Sequence, residues 1–437
     1  LDMTADNWDD KNGTIDGGYI WGYLASGRYG LDPFTPKYGE AASYSGEETL
    51  AAWQQGYMDI HHISTGRGNC TFMILPDGTT MMVDAGDNGP DNPNENKLAR
   101  VPDESLTPGE WIVRYASHFM DEAGLPAKLD YMLLTHFHND HMGTPVAGYP
   151  MSMDGSYYQT GVSYVGNNIA VGKLVDRGYP DYDFPFSGAF VGNLMMSNYM
   201  KFINDSNNRV EGIAGFEAGS ADQFVLKNAP RNDFSIRNIY SNGQIWTGTG
   251  SSTKTLVPAD TPQADLDNEN LWSNVINISY GNFDYHTGGD ILGADLDGTW
   301  FANDWRDIET PVAKLIKETD VMCCNHHGYD DAMNSTFLYY TTPQVCVVPA
   351  WENGHPGEAA LNRIGPAGSN VFAAGPVTKD SLKSGHVVVR VYEGGSTFQI
   401  FVLDDESKDY ERAIRYAPEE LSQVLIKTKE NAQKHIC

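Results

Sequence analysis

The sequence predicts an α+β fold in which two β-sheets form the core, helices cover them, and a long stretch is inserted between the halves. Three observations predict it. Short strand-like runs fall into two clusters, residues 58–135 and 275–402, with helical segments interspersed. Leu129–Thr135 (LDYMLLT) is a near-continuous apolar run, the pattern of a strand buried on both faces. Between the clusters, residues 143–270 are rich in Gly, Tyr, Asn and Ser and carry only scattered periodicity.

Taken in order, residues 1–52 show little periodicity until Glu47–Gln55 (EETLAAWQQ), which reads as a short helix. Residues 1–56 are expected to be an N-terminal extension packed on a main domain spanning 57–437. Met58–Ser64 (MDIHHIS), Cys70–Leu75 (CTFMIL) and Thr79–Asp84 (TTMMVD) read as three strands, divided by Gly66-x-Gly68 and by the turn sequence Pro76-Asp77-Gly78. Three strands in so short a span make a meander. Glu110–Ala123 reads as a helix leading into Leu129–Thr135. The inserted residues 143–270, expected as a substrate-shaping lobe, hold one helix near Asn193–Asn204 and strand-like pieces at Gln223–Leu226 and Ser235–Tyr240. Strands resume at Val275–Tyr280, Phe283–His286, Thr299–Ala302, Val321–Cys324, Val345–Val348, His386–Val391 and Thr397–Val402, with a helix at Pro311–Glu318.

Composition narrows the function classes. The 437 residues carry 29 Lys+Arg against 58 Asp+Glu, a formal net charge of −29. That balance argues against a surface built to hold long nucleic acid, which takes a basic patch. No apolar run approaches the ~18–20 residues of a membrane helix. Five cysteines in so long a chain are not a disulfide framework; adjacent Cys323 and Cys324 are expected to point to opposite faces of a strand. A chain opening on Leu1 without a leader pattern is expected to be a trimmed product. Few basic residues and much Asn, Gly and Tyr fit an exported bacterial protein, periplasmic or extracellular.

The strongest chemical signal is Thr135-His136-Phe137-His138-Asn139-Asp140-His141, directly after the buried strand. Three His and one Asp in six residues are costly to satisfy as core. At a strand end they can aim two imidazoles at one cation, and a carboxylate with a third imidazole at another; imidazole and carboxylate suit zinc or a related divalent ion. Of the 12 His, none lies between 142 and 285.

These residues resemble the metallo-β-lactamase-fold hydrolase superfamily, whose signature is H-x-H-x-D-H after a buried strand. Met82-Val83-Asp84-Ala85-Gly86 resembles its first motif, Thr287-Gly288-Gly289-Asp290 the motif of its bridging Asp, and Asn325-His326-His327-Gly328 its last ligand motif. Ser64-Thr65-Gly66-Arg67-Gly68-Asn69-Cys70, His326-His327-Gly328 and His355-Pro356 are similar to the branch containing the C-terminal domain of the bacterial competence DNA-uptake channel. Asn69 stands where that branch usually has Asp.

The resemblance implies a four-layer αββα sandwich and two divalent metal ions, zinc first, manganese or iron as alternatives. It implies that His136 and His138 hold the first ion, Asp140 and His141 the second, and Asp290 both. His327 is preferred over His326 as the last ligand, and Asp84 is expected to orient a metal-binding imidazole. Asp140 is expected to orient the water that the cations activate, and His355 to donate to the leaving group or contact substrate. Many members place another His ligand between the H-x-H-x-D-H loop and the bridging Asp, and this chain has none; a water, a carboxylate or a one-metal site are the alternatives. The implied activity is hydrolysis of a phosphodiester or phosphoester, small or on the cell surface. A lactone or amide hydrolase on the same site and a non-catalytic surface binding protein are the other readings. The sequence does not determine the oligomeric state.

Overall fold

A computed structural model describes residues 49–90, 96–294, 304–377, 382–410 and 413, together with the strand paths of 8–9, 14–15, 18–19, 44–48 and 414–416. The first strands, β1 (Trp8–Asp9), β2 (Thr14–Ile15) and β3 (Gly18–Tyr19), form a small antiparallel ribbon. Two large sheets follow. The first is built from β4 (Tyr44–Glu48), β5 (Met58–His62), β6 (Thr71–Ile74), β7 (Thr80–Val83), β8 (Lys128–Leu133), β9 (Ala170–Asp176), β10 (Ile213–Gly215), β20 (His386–Val391), β21 (Phe398–Leu403) and β22 (Ala413–Tyr416). Its strand order is β10-β9-β8-β7-β6-β5-β20-β21-β22-β4, parallel from β10 to β7 and antiparallel beyond.

The second sheet contains β11 (Phe234–Ser241), β12 (Gln244–Trp246), β13 (Thr253–Thr255), β14 (Val275–Tyr280), β15 (Phe283–Thr287), β16 (Val321–Cys323), β17 (Val345–Val348), β18 (Asn370–Ala373) and β19 (Lys383–Ser384). It is antiparallel from β13 to β15 and parallel from β15 to β19.

The sheets stack because their strands alternate. Met58 and Ile60 of β5 and Tyr131 and Leu133 of β8 meet Ile276, Ile278, Val321 and Val345 of the second sheet in a shared core. The opposite faces are covered by helices. α1 (Pro108–Glu122) turns Trp111, Ile112, Tyr115, Ala116 and Phe119 inward at helical spacing. Thr107 and Glu110 form a capping box at its start. α1 packs on the first sheet with α3 (Gly161–Asn168) and α4 (Leu194–Ile203). α2 (Asn139–Met142) is a single turn inside the H-x-H-x-D-H loop. On the second sheet lie α5 (Glu309–Ile316), α6 (Ser335–Thr341) and α7 (Glu358–Ile364). This is the αββα sandwich. Leu129, Met132 and Leu134 face the helices while Tyr131 and Leu133 face the other sheet, so the apolar run is buried on both sides. Cys323 and Cys324 likewise enter different cores. Among the described residues no helix is long and apolar enough to cross a membrane.

Three local expectations are corrected. Glu47–Gln55 is not a helix: Glu47 and Glu48 pair with Ile414 and Ala413 as an outer strand, and residues 49–55 run without helical bonds. Tertiary pairing takes the backbone groups a short, exposed helix would have used. Gln223–Leu226 is not a strand; Phe224 and Leu226 instead plug the inter-sheet core from a loop. Residues 143–270 supply β9 and β10 to the first sheet and β11 to β13 to the second, so this stretch is woven into the sandwich rather than added to it as a lobe. The strand expected at Thr299–Ala302 lies outside the described residues.

Candidate metal centre

One edge of the sandwich collects the chemistry. Asp84 follows β7, the His136–His141 loop follows β8, Asp290 follows β15, His326 and His327 follow β16, and His355 lies beyond β17. All stand past the carboxyl ends of strands, where open parallel sheets characteristically bind ligands.

Two donor sets emerge, each with its ligand atoms within 4.8 Å of one another: Asp140, His141, Asp290 and His327, and His136, His138 and Asp290. Asp290 belongs to both. Its Oδ1 lies 3.1 Å from His141 Nε2, and its Oδ2 3.5 Å from His136 Nε2 and 3.6 Å from His327 Nε2. Asp140 Oδ2 is 2.9 Å from His327 Nε2, and His136 Nε2 is 3.1 Å from His138 Nδ1. The donors are buried except His138, which is half-buried.

The outer nitrogens explain the orientation of the rings. His141 Nδ1 donates to Asp84 Oδ2 at 2.7 Å, and His327 Nδ1 donates to the Pro349 carbonyl at 2.7 Å. Both arrangements leave the Nε2 lone pair facing the cluster, as a metal-binding imidazole requires. Asp84 also accepts from Thr135 N at 2.7 Å, Thr135 Oγ1 at 2.9 Å and Asn69 Nδ2 at 3.0 Å. Asn69, at the position where the competence branch usually has Asp, therefore donates to the carboxylate that aims His141. The Gly66-x-Gly68 turn serves the same loop. A Cβ at Gly68 (φ +151°) would sit 2.3 Å from the Asp140 carbonyl oxygen, which accepts from Asn69 N at 2.7 Å.

His326 and His327 occupy consecutive left-handed conformations, φ 44° and 54°, a costly arrangement for side-chain-bearing residues. The turn is pinned by His326 N donating to the Gly289 carbonyl and by His326 Nδ1 on Asp331 at 2.6 Å. His326 Nε2 meets Asn270 at 3.2 Å and stands 3.9 Å from Asp290; it belongs to neither donor set. Asn325 is held by Glu309, which also accepts from the backbone of Met333 and Asn334. His286 bonds Asn325 at 3.1 Å and packs on Phe337, so it buttresses the turn and supplies no ligand. His355 is buried and stacked on His327, with centroids 4.8 Å apart, and it joins neither set.

The electrostatics follow from the packing. Burial opposes charge on Asp140 and Asp290, yet the surrounding imidazoles, His141 foremost, hold both carboxyls below their usual range. Burial likewise opposes charge on His327, but without a cation Asp290 and Asp140 push it up to about 9, holding on Nε2 a proton that a bound cation would replace. Burial and the neighbouring His141 drive His136 down. Two buried carboxylates facing four imidazoles fit divalent cations: each ring whose outer nitrogen is engaged presents a lone pair, and the carboxylates supply the charge.

Sequence comparison agrees with this arrangement. Residues 63–144 match the metallo-beta-lactamase superfamily model. The matched stretch contains Asp84 and the whole His136–His141 loop; Asp290 and His327 lie beyond it. No curated protein matches the chain. Among solved structures, 41 chains match. One, from Parabacteroides distasonis and named as a candidate metal-dependent hydrolase, is 10% identical over 76% of this chain and 98% of its own, with a TM-score of 0.34.

Proposed function

We propose that the protein is a hydrolase that uses two divalent ions, zinc first, with manganese or iron as alternatives, to cleave a phosphodiester or phosphoester carried by a small or cell-surface substrate. The observation that carries this reading is the sharing of Asp290 between the two donor sets. His136, His138 and Asp290 would hold one ion, and Asp140, His141, Asp290 and His327 the other. When bound, such a pair supplies an activated water and stabilises charge developing on the substrate's oxygens.

The chain's own residues do the rest. Asp84 and the Pro349 carbonyl fix the tautomers of His141 and His327, keeping two Nε2 lone pairs inward. Asp140 would orient a water as well as bind. The first set, with three donors and a half-buried His138, would be the side that takes an incoming oxygen ligand. His355, stacked on His327, would act on the substrate only through movement of the 351–356 loop. The phosphoester assignment rests on the resemblance of His326-His327-Gly328 and His355-Pro356 to the competence-type branch. A net charge of −29 favours a small or surface-held ester over long DNA, and export to the periplasm or beyond fits such a substrate.

Elemental analysis of protein purified without chelator, followed by phosphodiester, phosphomonoester and lactone panels, tests the reading. Two equivalents of metal with phosphoester turnover, lost together in Asp290→Ala, is the expected result. One equivalent or none after incubation with each metal would overturn the dinuclear assignment. Turnover of lactones alone would overturn the substrate class.

A further inference from the structure

Beside the first donor set lies a pocket of about 160 Å³, lined by His138 together with Phe137, Phe186, Phe190 and Trp272. No motif accounts for it. Its walls come from three places far apart in the chain: the metal loop, the 185–195 segment and the 266–272 turn.

We propose that this pocket holds an uncharged, ring-sized apolar group of the substrate, so that the cleaved phosphoester carries an aryl or comparably sized apolar substituent. The inference rests on the phosphoester reading for the identity of the reacting group, but not for the occupant of the pocket. Size supports it: roughly 150 Å³ accommodates benzene, and this half-open pocket, walled by rings on one hand and by His138, Asn193 and Glu269 on the other, offers about 160 Å³. Position supports it as well, because a group seated here adjoins His138, so the ester linkage is directed towards the donor sets.

The carboxylate beside the rings does not call for a cation. Two acidic residues, Asp267 and Glu269, reach the lining, and alone they would suggest a cation. Glu269 is already spent: it takes the Arg177 guanidinium through both carboxylate oxygens and accepts from Phe137 N at 2.9 Å. The same guanidinium lies over the Phe137 and Phe190 rings, 4.8 and 5.4 Å from their centroids. A second cation would meet ring faces whose attraction is already used, with a positive charge beside them.

The walls are also preformed. Phe190 stands edge-on to Phe137 at 5.3 Å, and the Trp272 indole N–H donates to the Leu266 carbonyl at 3.1 Å. Fixed walls lose little freedom when a ring enters.

The test uses the metal-loaded full chain and calorimetric titration with four probes: methylphosphonate, benzylphosphonate, 2-(trimethylammonio)ethylphosphonate and benzyl alcohol. Benzylphosphonate is expected to bind about tenfold or more tightly than methylphosphonate, from the apolar area its ring buries. Ala189→Phe fills the pocket without removing any wall, and Phe190→Ala removes one. Each should bring benzylphosphonate to within about twofold of methylphosphonate while leaving methylphosphonate unchanged. Benzyl alcohol binding that Ala189→Phe abolishes supports the pocket even where no phosphonate binds, the result that would sink the phosphoester reading instead. Equal affinity for the methyl and benzyl compounds in the unmodified protein overturns the inference. So does a benzyl advantage that survives both variants, or tightest binding of the trimethylammonium compound.

Discussion

Replacing Asp84 by Asn tests whether this residue aims the metal site or only ties loops together. Asp84 sits at φ +59°, a conformation Asn tolerates well, so the backbone need not move. The side chain now accepts from Thr135 N, Thr135 Oγ1, Asn69 Nδ2 and His141 Nδ1. An amide has one acceptor oxygen. If that oxygen stays on Thr135 N, the new NH2 group faces Asn69 Nδ2 and His141 Nδ1, both donors. Two hydrogen bonds to a buried carboxylate are lost, about 1.5–3 kcal/mol each. His141 can regain a partner only by moving its proton to Nε2, the atom that faces Asp290 at 3.1 Å, and a protonated Nε2 cannot ligate. Metal affinity should therefore fall about 10–100-fold for the set containing His141, with the other ion less affected. Competition with a chromophoric chelator reads the affinities, and urea unfolding of metal-free protein reads the stability. Loss of stability with both metal affinities unchanged would refute the argument that Asp84 acts through the tautomer of His141.

Other expectations concern the scaffold. His62 and His386 are buried and, through desolvation, their pKa values fall to about 3. Because the unfolded chain binds those protons near 6.5, stability is full above that pH and is lost as pH falls towards 3, about 2 kcal/mol per histidine at pH 5. His62→Phe should flatten the stability of metal-free protein between pH 7 and 5 by about that amount; an unchanged slope would reject the assignment. Asp59 receives Arg390 through both oxygens, at 2.8 and 2.6 Å, in the buried first sheet. Asp59→Ala strands the guanidinium and should cost about 3–5 kcal/mol in urea unfolding, whereas a cost under about 1 kcal/mol would mean the charge finds water. Thr107→Ala breaks the capping box of α1 and should cost about 1 kcal/mol, measurable as a lowered Tm with metal content unchanged.

The split between legible and illegible features follows chain distance. The His136–His141 loop could be read because its ligands are adjacent and follow an apolar run that fits only a buried strand. Asp84, Asp290 and His327 could be placed because the short motifs that hold them, each after a strand, resemble those of the metallo-β-lactamase-fold superfamily. His326 and His327 were not separable by position alone. What distinguishes them is the Pro349 carbonyl on one ring and Asp331 on the other, partners set by a left-handed turn. Asn69 could have been found as a buttress, since a polar residue two positions before a strand must bond something. Glu309, Asn325 and His286 gave no such signal, because their shared network joins three separate elements.

The sequence by itself determined the sandwich, through alternation and the doubly buried LDYMLLT strand, and it determined the metal chemistry, through His and Asp at strand ends. Those are local properties: periodicity and ligand spacing act within a few residues. Only the tertiary structure decided that residues 143–270 complete both sheets, that Glu47–Gln55 does not form a helix, and that Phe137, Phe186, Phe190 and Trp272 line one pocket. Each depends on which distant segment supplies the missing hydrogen bonds or the facing wall. A lone stretch of chain cannot specify a partner that reaches it only after the sheets have stacked.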